Sequence, residues 1–245
     1  MAAGGFPGAA SPGPASGGQA EGAIPAALRP SEYTAALIQV LRHRESWVRG
    51  ASALEVGAGS GVVLAALSSL GPSCLCGIEI EPAAVAAAAG LLCTLDQPAE
   101  LYHGDMWEPV IGRRFDLLAA NLPHFPMTPQ PFAGRLPSWS AGGFDGRRLL
   151  DAFLSGLAGH LAPGGRAVIT HNGFVDLARS RDMVAEFGLA LRVAMTVLVH
   201  IPREKLELMT PDILRAEEGR SIHRYGPYVF ADMHVVEIGE PAALV

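Results

Sequence analysis

From Ile24 onward, short apolar runs alternate with longer stretches whose apolar residues recur every three or four positions. RPSEYTAALIQVLRHR carries apolar residues at helical spacing behind Ser31, a residue suited to cap a helix, and Pro30 precedes it as a start signal. SALEV then reads as a strand, followed by a helix from Gly61, a strand CLCGIEI, a helix PAAVAAAAGLL and a strand AELYHG. The alternation continues through the strand FDLLAAN, the helix RRLLDAFLSGLAGHL, the strand RAVITHN, the helix VDLARSRDMVAEF and the strand ALRVAMTVLVHI. Repetition of this kind predicts an α/β fold, with parallel strands joined by crossover helices on both faces of one sheet. Residues 202–226 break the rhythm with a charged, helix-prone stretch, and YVFADMHVVEIG (Tyr228 to Gly239) reads as a last strand.

Composition adds limits to that picture. Residues 1–23 are mostly Gly, Ala, Ser and Pro, with almost nothing to bury, so they are expected to form a disordered tail ahead of one domain spanning 24–245. The net charge of -6 disfavours a nucleic-acid partner, because such affinity comes mostly from Lys and Arg neutralising phosphates. Lys205 is the only lysine, and the abundance of Ala, Gly, Pro and Arg favours a GC-rich coding bias over a function for it. Cys74, Cys76 and Cys93 lie in or beside apolar segments, which predicts reduced core thiols, and they lack partners at zinc-ligand spacing, so no metal is expected. No basic start precedes an apolar stretch at the N-terminus, and AAVAAAAGLL is shorter than the roughly 20 residues that span a bilayer. A cytoplasmic protein without membrane contact is the expectation; its oligomeric state is not legible.

The chemistry begins at ALEVGAGSGVV, a strand that runs through Glu55, Gly57, Gly59 and Gly61 into a helix. Glycines there let the backbone turn tightly and approach a ligand, and the helix start presents free N–H groups. The dinucleotide fingerprint spaces its glycines as G-x-G-x-x-G. Here the third glycine comes one residue early and an acid precedes the turn, which suits an amino-bearing ligand better than a diphosphate. Glu79 closes the next strand, where a carboxylate can accept both hydroxyls of a ribose, and Asp105 follows the third strand, placed to accept from an exocyclic amine.

With these residues the chain resembles the class I S-adenosylmethionine-dependent methyltransferases, over about Arg29 to Gly239. The resemblance implies a Rossmann-like, mostly parallel sheet of seven strands in the order 3-2-1-4-5-7-6, the last antiparallel. It implies S-adenosylmethionine as cofactor, bound by Glu55, Gly57, Gly59, Gly61, Glu79, Asp105, Met106 and Asn121. A nicotinamide enzyme of Rossmann type stands as the alternative.

Asn121-Leu122-Pro123-His124 follows the fourth strand, at the edge where ligands of such sheets lie. In the family, Asn-Pro-Pro-Tyr at this place marks methylation of a planar nitrogen. The Asn oxygen and the next carbonyl accept the two N–H bonds of the acceptor, and the aromatic packs on its plane. Leu122 keeps that carbonyl but loses a rigid proline, and His124 replaces the tyrosine, with Phe125 beside it. His124 is the side chain here that can take a proton near neutral pH, which opens a second route, to an oxygen acceptor with His124 as base. AGGFDGRRLLDAF and LAPGGRAVI resemble segments of the HemK branch of glutamine methyltransferases, as does RPSEYT, although the helical substrate domain of the bacterial enzymes has no room ahead of Glu55.

Asn121 and His124 are thus the expected catalytic pair. Leu122, Pro123, Phe125, His171, His200, Arg203, His223 and Tyr225 are the expected acceptor-binding residues, and 202–226 is expected as a lid over the same edge. The acceptor is read as a small molecule or a peptide, the negative charge and the missing substrate domain tilting the reading toward a small molecule, with a protein glutamine as the alternative nitrogen acceptor. A scaffold that has kept the fold and lost the chemistry is the reading from outside enzymes.

Overall fold

In a computed structural model, which describes residues 30–95, 98–129 and 139–244, the predicted alternation forms one sheet between two helical layers. The stretch expected to be a disordered tail, 1–23, lies outside the described residues. Helix α1 (Glu32–His43) starts at Ser31, whose backbone N–H donates to the Thr34 hydroxyl at 3.3 Å. One helical turn, α2 (Glu45–Val48), leads into β1 (Ser52–Val56). Then follow α3 (Val62–Ser68), β2 (Cys74–Glu79), α4 (Pro82–Leu92), β3 (Glu100–His103) and β4 (Phe115–Ala120). The second half comprises α5 (Arg148–His160), β5 (Leu161–Asn172), α6 (Leu177–Ala185) and β6 (Ala190–Ile201). The chain ends with α7 (Arg203–Leu206), α8 (Pro211–Glu217), β7 (Ile222–Tyr225) and β8 (Tyr228–Gly239).

The strands lie in the order β3-β2-β1-β4-β5-β8-β6, with β7 also paired to β8. This is the predicted order, the last long strand entering antiparallel between β5 and β6. An eighth strand is the addition. IHRY is too short and too charged to show a period-two pattern, and it forms a strand because β8 offers it a free edge. The Pro-Gly-Gly turn expected before RAVITHN is drawn into β5 as an irregularity, where the pairing to β4 jumps between Phe115 and Leu117.

Strands β1 and β4 are apolar nearly throughout because both faces of the sheet are covered. On one face α1 and α3 bury Leu37, Leu41, Leu64 and Leu67; on the other α5 buries Phe153, Leu154 and Leu157. Burying each such side chain contributes about 1.5–3 kcal/mol. Cys76 is buried and Cys74 half-buried as expected of core thiols, but Cys93 is exposed past the end of α4, on the side turned from the sheet. Among the described residues no helix is long and apolar enough to cross a membrane.

The close fit of helix to sheet shows at Gly77 in β2, where a Cβ would stand 2.5 Å from Leu64 Cδ1 and 3.0 Å from Leu101 Cδ2. Gly77→Ala is expected to lower stability by about 1–3 kcal/mol, read as a fall in the urea midpoint with an unchanged slope.

Candidate active site

The chain leaves β1 through Gly57, Gly59 and Gly61, each at positive φ (76°, 53° and 78°), a region that glycine enters without strain. Gly61 also lies so near α4 that a Cβ would be 3.0 Å from Ala88 Cβ, while a Cβ on Gly59 would meet open space. The turn is tied to the next strand: Gly59 N–H donates to Glu79 Oε2 at 2.7 Å, and Glu81 N–H donates to Oε1 at 2.9 Å. Each carboxylate oxygen retains a second lone pair for a ligand hydroxyl. Glu55 is buried, and its Oε2 has no partner. Burial raises its pKa well above the usual carboxylate range, the nearby Glu79 adding to the effect. Asp105 is exposed beyond β3, and Met106 after it holds a positive φ of 46°. The acids thus stand on neighbouring strands at one edge.

Beside this turn, a cavity of about 390 Å³ opens over the loop that follows β4. Asn121, Leu122, Pro123, His124, Phe125 and His200 line it, together with the first turn of α1, Trp139, Ser140 and the start of α7. Asn121 Oδ1 accepts from the Thr170 hydroxyl at 2.8 Å, which fixes the amide at the end of β4. His124 is buried with Nδ1 2.5 Å from the Leu122 carbonyl. A carbonyl can only accept, so Nδ1 carries the proton and the lone pair sits on Nε2, which is buried without a partner. Burial pushes the His124 pKa down to about 4, partly offset by the Leu122 bond and helped by the Lys205 charge. The imidazole is therefore neutral near pH 7.

Four expected acceptor-binding residues stand elsewhere. His171 points to the opposite face of β5, fully buried, with its nitrogens 2.8 Å from the Asn172 carbonyl and 2.9 Å from Ser180 Oγ; burial lowers its pKa to about 3. Arg203 is exposed and pairs with Glu207 at 2.8 Å. His223 pairs with Asp232 at 3.2 Å, and Tyr225 sits exposed at the hairpin tip, 5.9 Å from the Phe230 ring. Lys205, discounted on composition, instead lines the cavity with Nζ 3.6 Å from the Phe125 ring centroid. Tyr33 was also missed: its hydroxyl donates to Asn172 Oδ1 at 2.7 Å, and its ring lies 5.9 Å from that of His124. A larger cavity, about 550 Å³, lies beside α6 and α8; its Arg179 and Arg220 pair with neighbouring carboxylates and it presents no unpaired reactive group. Among the described residues no cluster of His, Cys, Asp and Glu could hold a metal ion.

A glycine turn with acids on successive strand ends, in this strand order, defines a class I methyltransferase. No family model matches the chain. The mouse methyltransferase HEMK2 is 35% identical over 158 residues, covering 58% of this chain and 70% of the relative. A release factor glutamine methyltransferase of Geobacter sulfurreducens is 28% identical over 148 residues; the match covers 58% of this chain and about half (51%) of that enzyme. Among solved structures, the E. cuniculi Mtq2–Trm112 complex, responsible for methylation of the termination factor eRF1, superposes with a TM-score of 0.58 at 14% identity, covering 88% of this chain and 99% of that one. The chain belongs to the HemK family of methyltransferases, and its cofactor is S-adenosylmethionine. The open space at Gly59 and the unpaired Glu55 oxygen fit a ligand carrying an ammonium group and ribose hydroxyls.

Two buried neutral histidines give stability a definite pH dependence. Their folded pKa values lie below the ordinary 6.5, so the unfolded chain binds protons first as pH falls. Their contribution is full above pH 6.5 and is lost as pH drops toward about 4 for His124 and about 3 for His171. For His124 the loss amounts to about 3 kcal/mol. Urea midpoints measured from pH 7 to pH 4.5 should fall, and His124→Phe should make the fall shallower.

Proposed function

We propose that this enzyme methylates a nitrogen, with a glutamine side chain of a protein or peptide as the first acceptor to test and a small-molecule amine or amide as the second. The observation that carries the reading is Asn121 at the end of β4, fixed by Thr170 and followed by Leu122, both lining a cavity beside the glycine turn. S-adenosylmethionine supplies an activated methyl on a sulfonium. What remains for the protein is to align the nucleophile, which the Asn121 oxygen and the Leu122 carbonyl do by accepting the acceptor's two N–H bonds. Pro123, Phe125 and His200 line the same cavity. The glutamine activity named for the relatives supports the same class of acceptor. The net charge of -6 disfavours nucleic acid.

His124 supports nitrogen over oxygen. With a pKa near 4 it is a weak base, poorly matched to removing a hydroxyl proton before attack, whereas a nitrogen acceptor attacks as the neutral group and releases its proton to solvent after the S–CH3 bond has broken. We read residues 24–245 as one catalytic domain and 202–226 as its lid. Thr210 supports this: its N–H donates to the Pro126 carbonyl at 2.7 Å, and its hydroxyl proton is shared between the carbonyls of Pro126 (2.9 Å) and Phe144 (2.6 Å), tying the segment to the acceptor loop.

Incubation with methyl-labelled cofactor and glutamine-bearing peptides or cell extract should place label on a side-chain nitrogen; label confined to oxygen would reject the proposal. Asn121→Ala should cut turnover about 100-fold or more while leaving cofactor affinity near its original value. Replacing 203–226 by a short turn should raise the acceptor KM with little change in cofactor binding, and unchanged acceptor kinetics would dismiss the lid.

A further inference from the structure

Two polar atoms beneath the acceptor cavity are buried without partners: His124 Nε2 and Asn172 Nδ2. Their chemistry is complementary. The Leu122 carbonyl takes the His124 Nδ1 proton, which leaves a lone pair on Nε2. The Tyr33 hydroxyl takes Asn172 Oδ1, which leaves the N–H groups of Nδ2 as the open side of the amide. The Asn172 carboxamide lies beside the His124 ring, and both residues are at most 2% exposed. A donor and an acceptor left apart there would each cost about 1–3 kcal/mol, a cost that their pairing removes.

We propose that Tyr33 and Asn172 are positioning residues for the reaction, the Asn172 N–H donating to His124 Nε2 so that a hydrogen-bonded chain runs from Tyr33 through Asn172 and His124 to the Leu122 carbonyl. The proposal rests on the nitrogen-acceptor reading above, in which that carbonyl receives an acceptor N–H. Its rationale is local. Leu122 stands where the resembling enzymes carry a proline, so its φ is not locked by a ring and the peptide gains from a further hold on its carbonyl. A bond from His124 Nδ1 does this only while the ring keeps that tautomer and orientation, and a donor on Nε2 enforces both. The chain also couples the first turn of α1 to the end of β5 and to the acceptor loop.

Tyr33→Phe keeps the ring packing and removes the hydroxyl. Its kcat should fall about tenfold, with cofactor affinity near that of the parent and a lower thermal midpoint; unchanged kcat overturns the role. Asn172→Asp keeps an oxygen for Tyr33 and replaces the donor by an acceptor. In ¹⁵N spectra of histidine-labelled protein at pH 7, with the His124 signal identified by its loss in His124→Phe, the parent should show a neutral ring protonated at Nδ1, and the Asp variant a proton on Nε2. A parent ring protonated at Nε2 overturns the chain of bonds whatever the acceptor. Failure of every nitrogen acceptor, with the parent tautomer as stated, overturns the nitrogen reading and with it the positioning role.

Discussion

The position of β8 governs the rest. Because this strand enters antiparallel between β5 and β6, the connection from β6 to β8 lies at the carboxyl edge of the sheet. Residues 202–226 make that connection, and they do so where β4 delivers Asn121. The slot beside β8 is shared in turn: β5 occupies it up to the Asn172–Met233 pair, and β7 takes over at Ile222–Ala231. Gly173 N–H to Asp232 O and Asp232 N–H to Ser221 O, both 2.8 Å, mark the exchange. A wall thus rises directly above the end of β5, and the acceptor cavity stands beside it.

Most of the fold was legible because each long element carries its own period. Strands covered on both faces read as apolar runs, and crossover helices as amphipathic stretches between them. The glycine turn was legible for a different reason, since positive φ at three positions so close together leaves few residue choices. What escaped was direction. His171 and Asn172 both end β5, yet successive side chains on a strand point to opposite faces. Thr170 and Asn172 turn toward Asn121 and Tyr33, whereas His171 turns to Ser180 on α6. Counting parity from Asn121's partner would have exchanged the two residues. Lys205 and Tyr33 escaped because their roles depend on where the first turn of α1 and the start of α7 meet, which no local pattern encodes.

The polar groups of the site are held in charge states that burial dictates. Glu55 is kept toward its neutral form and His124 toward its unprotonated form, both by desolvation. Desolvation therefore moves the two groups in opposite directions, the carboxyl's pKa up and the imidazole's down. Glu55 Oε2 has no partner in the protein alone, the arrangement expected where binding energy is to be spent on a ligand rather than on the fold.

Thr210 carries one more consequence. Its backbone N–H and hydroxyl both reach Pro126, and the hydroxyl reaches Phe144 as well, so three separate stretches meet at one small side chain. The loop and the connecting segment are thereby made a single heritable unit. Grafting one onto a relative without the other would leave carbonyls without donors, so new acceptor preferences on this scaffold are most readily reached by exchanging both stretches together.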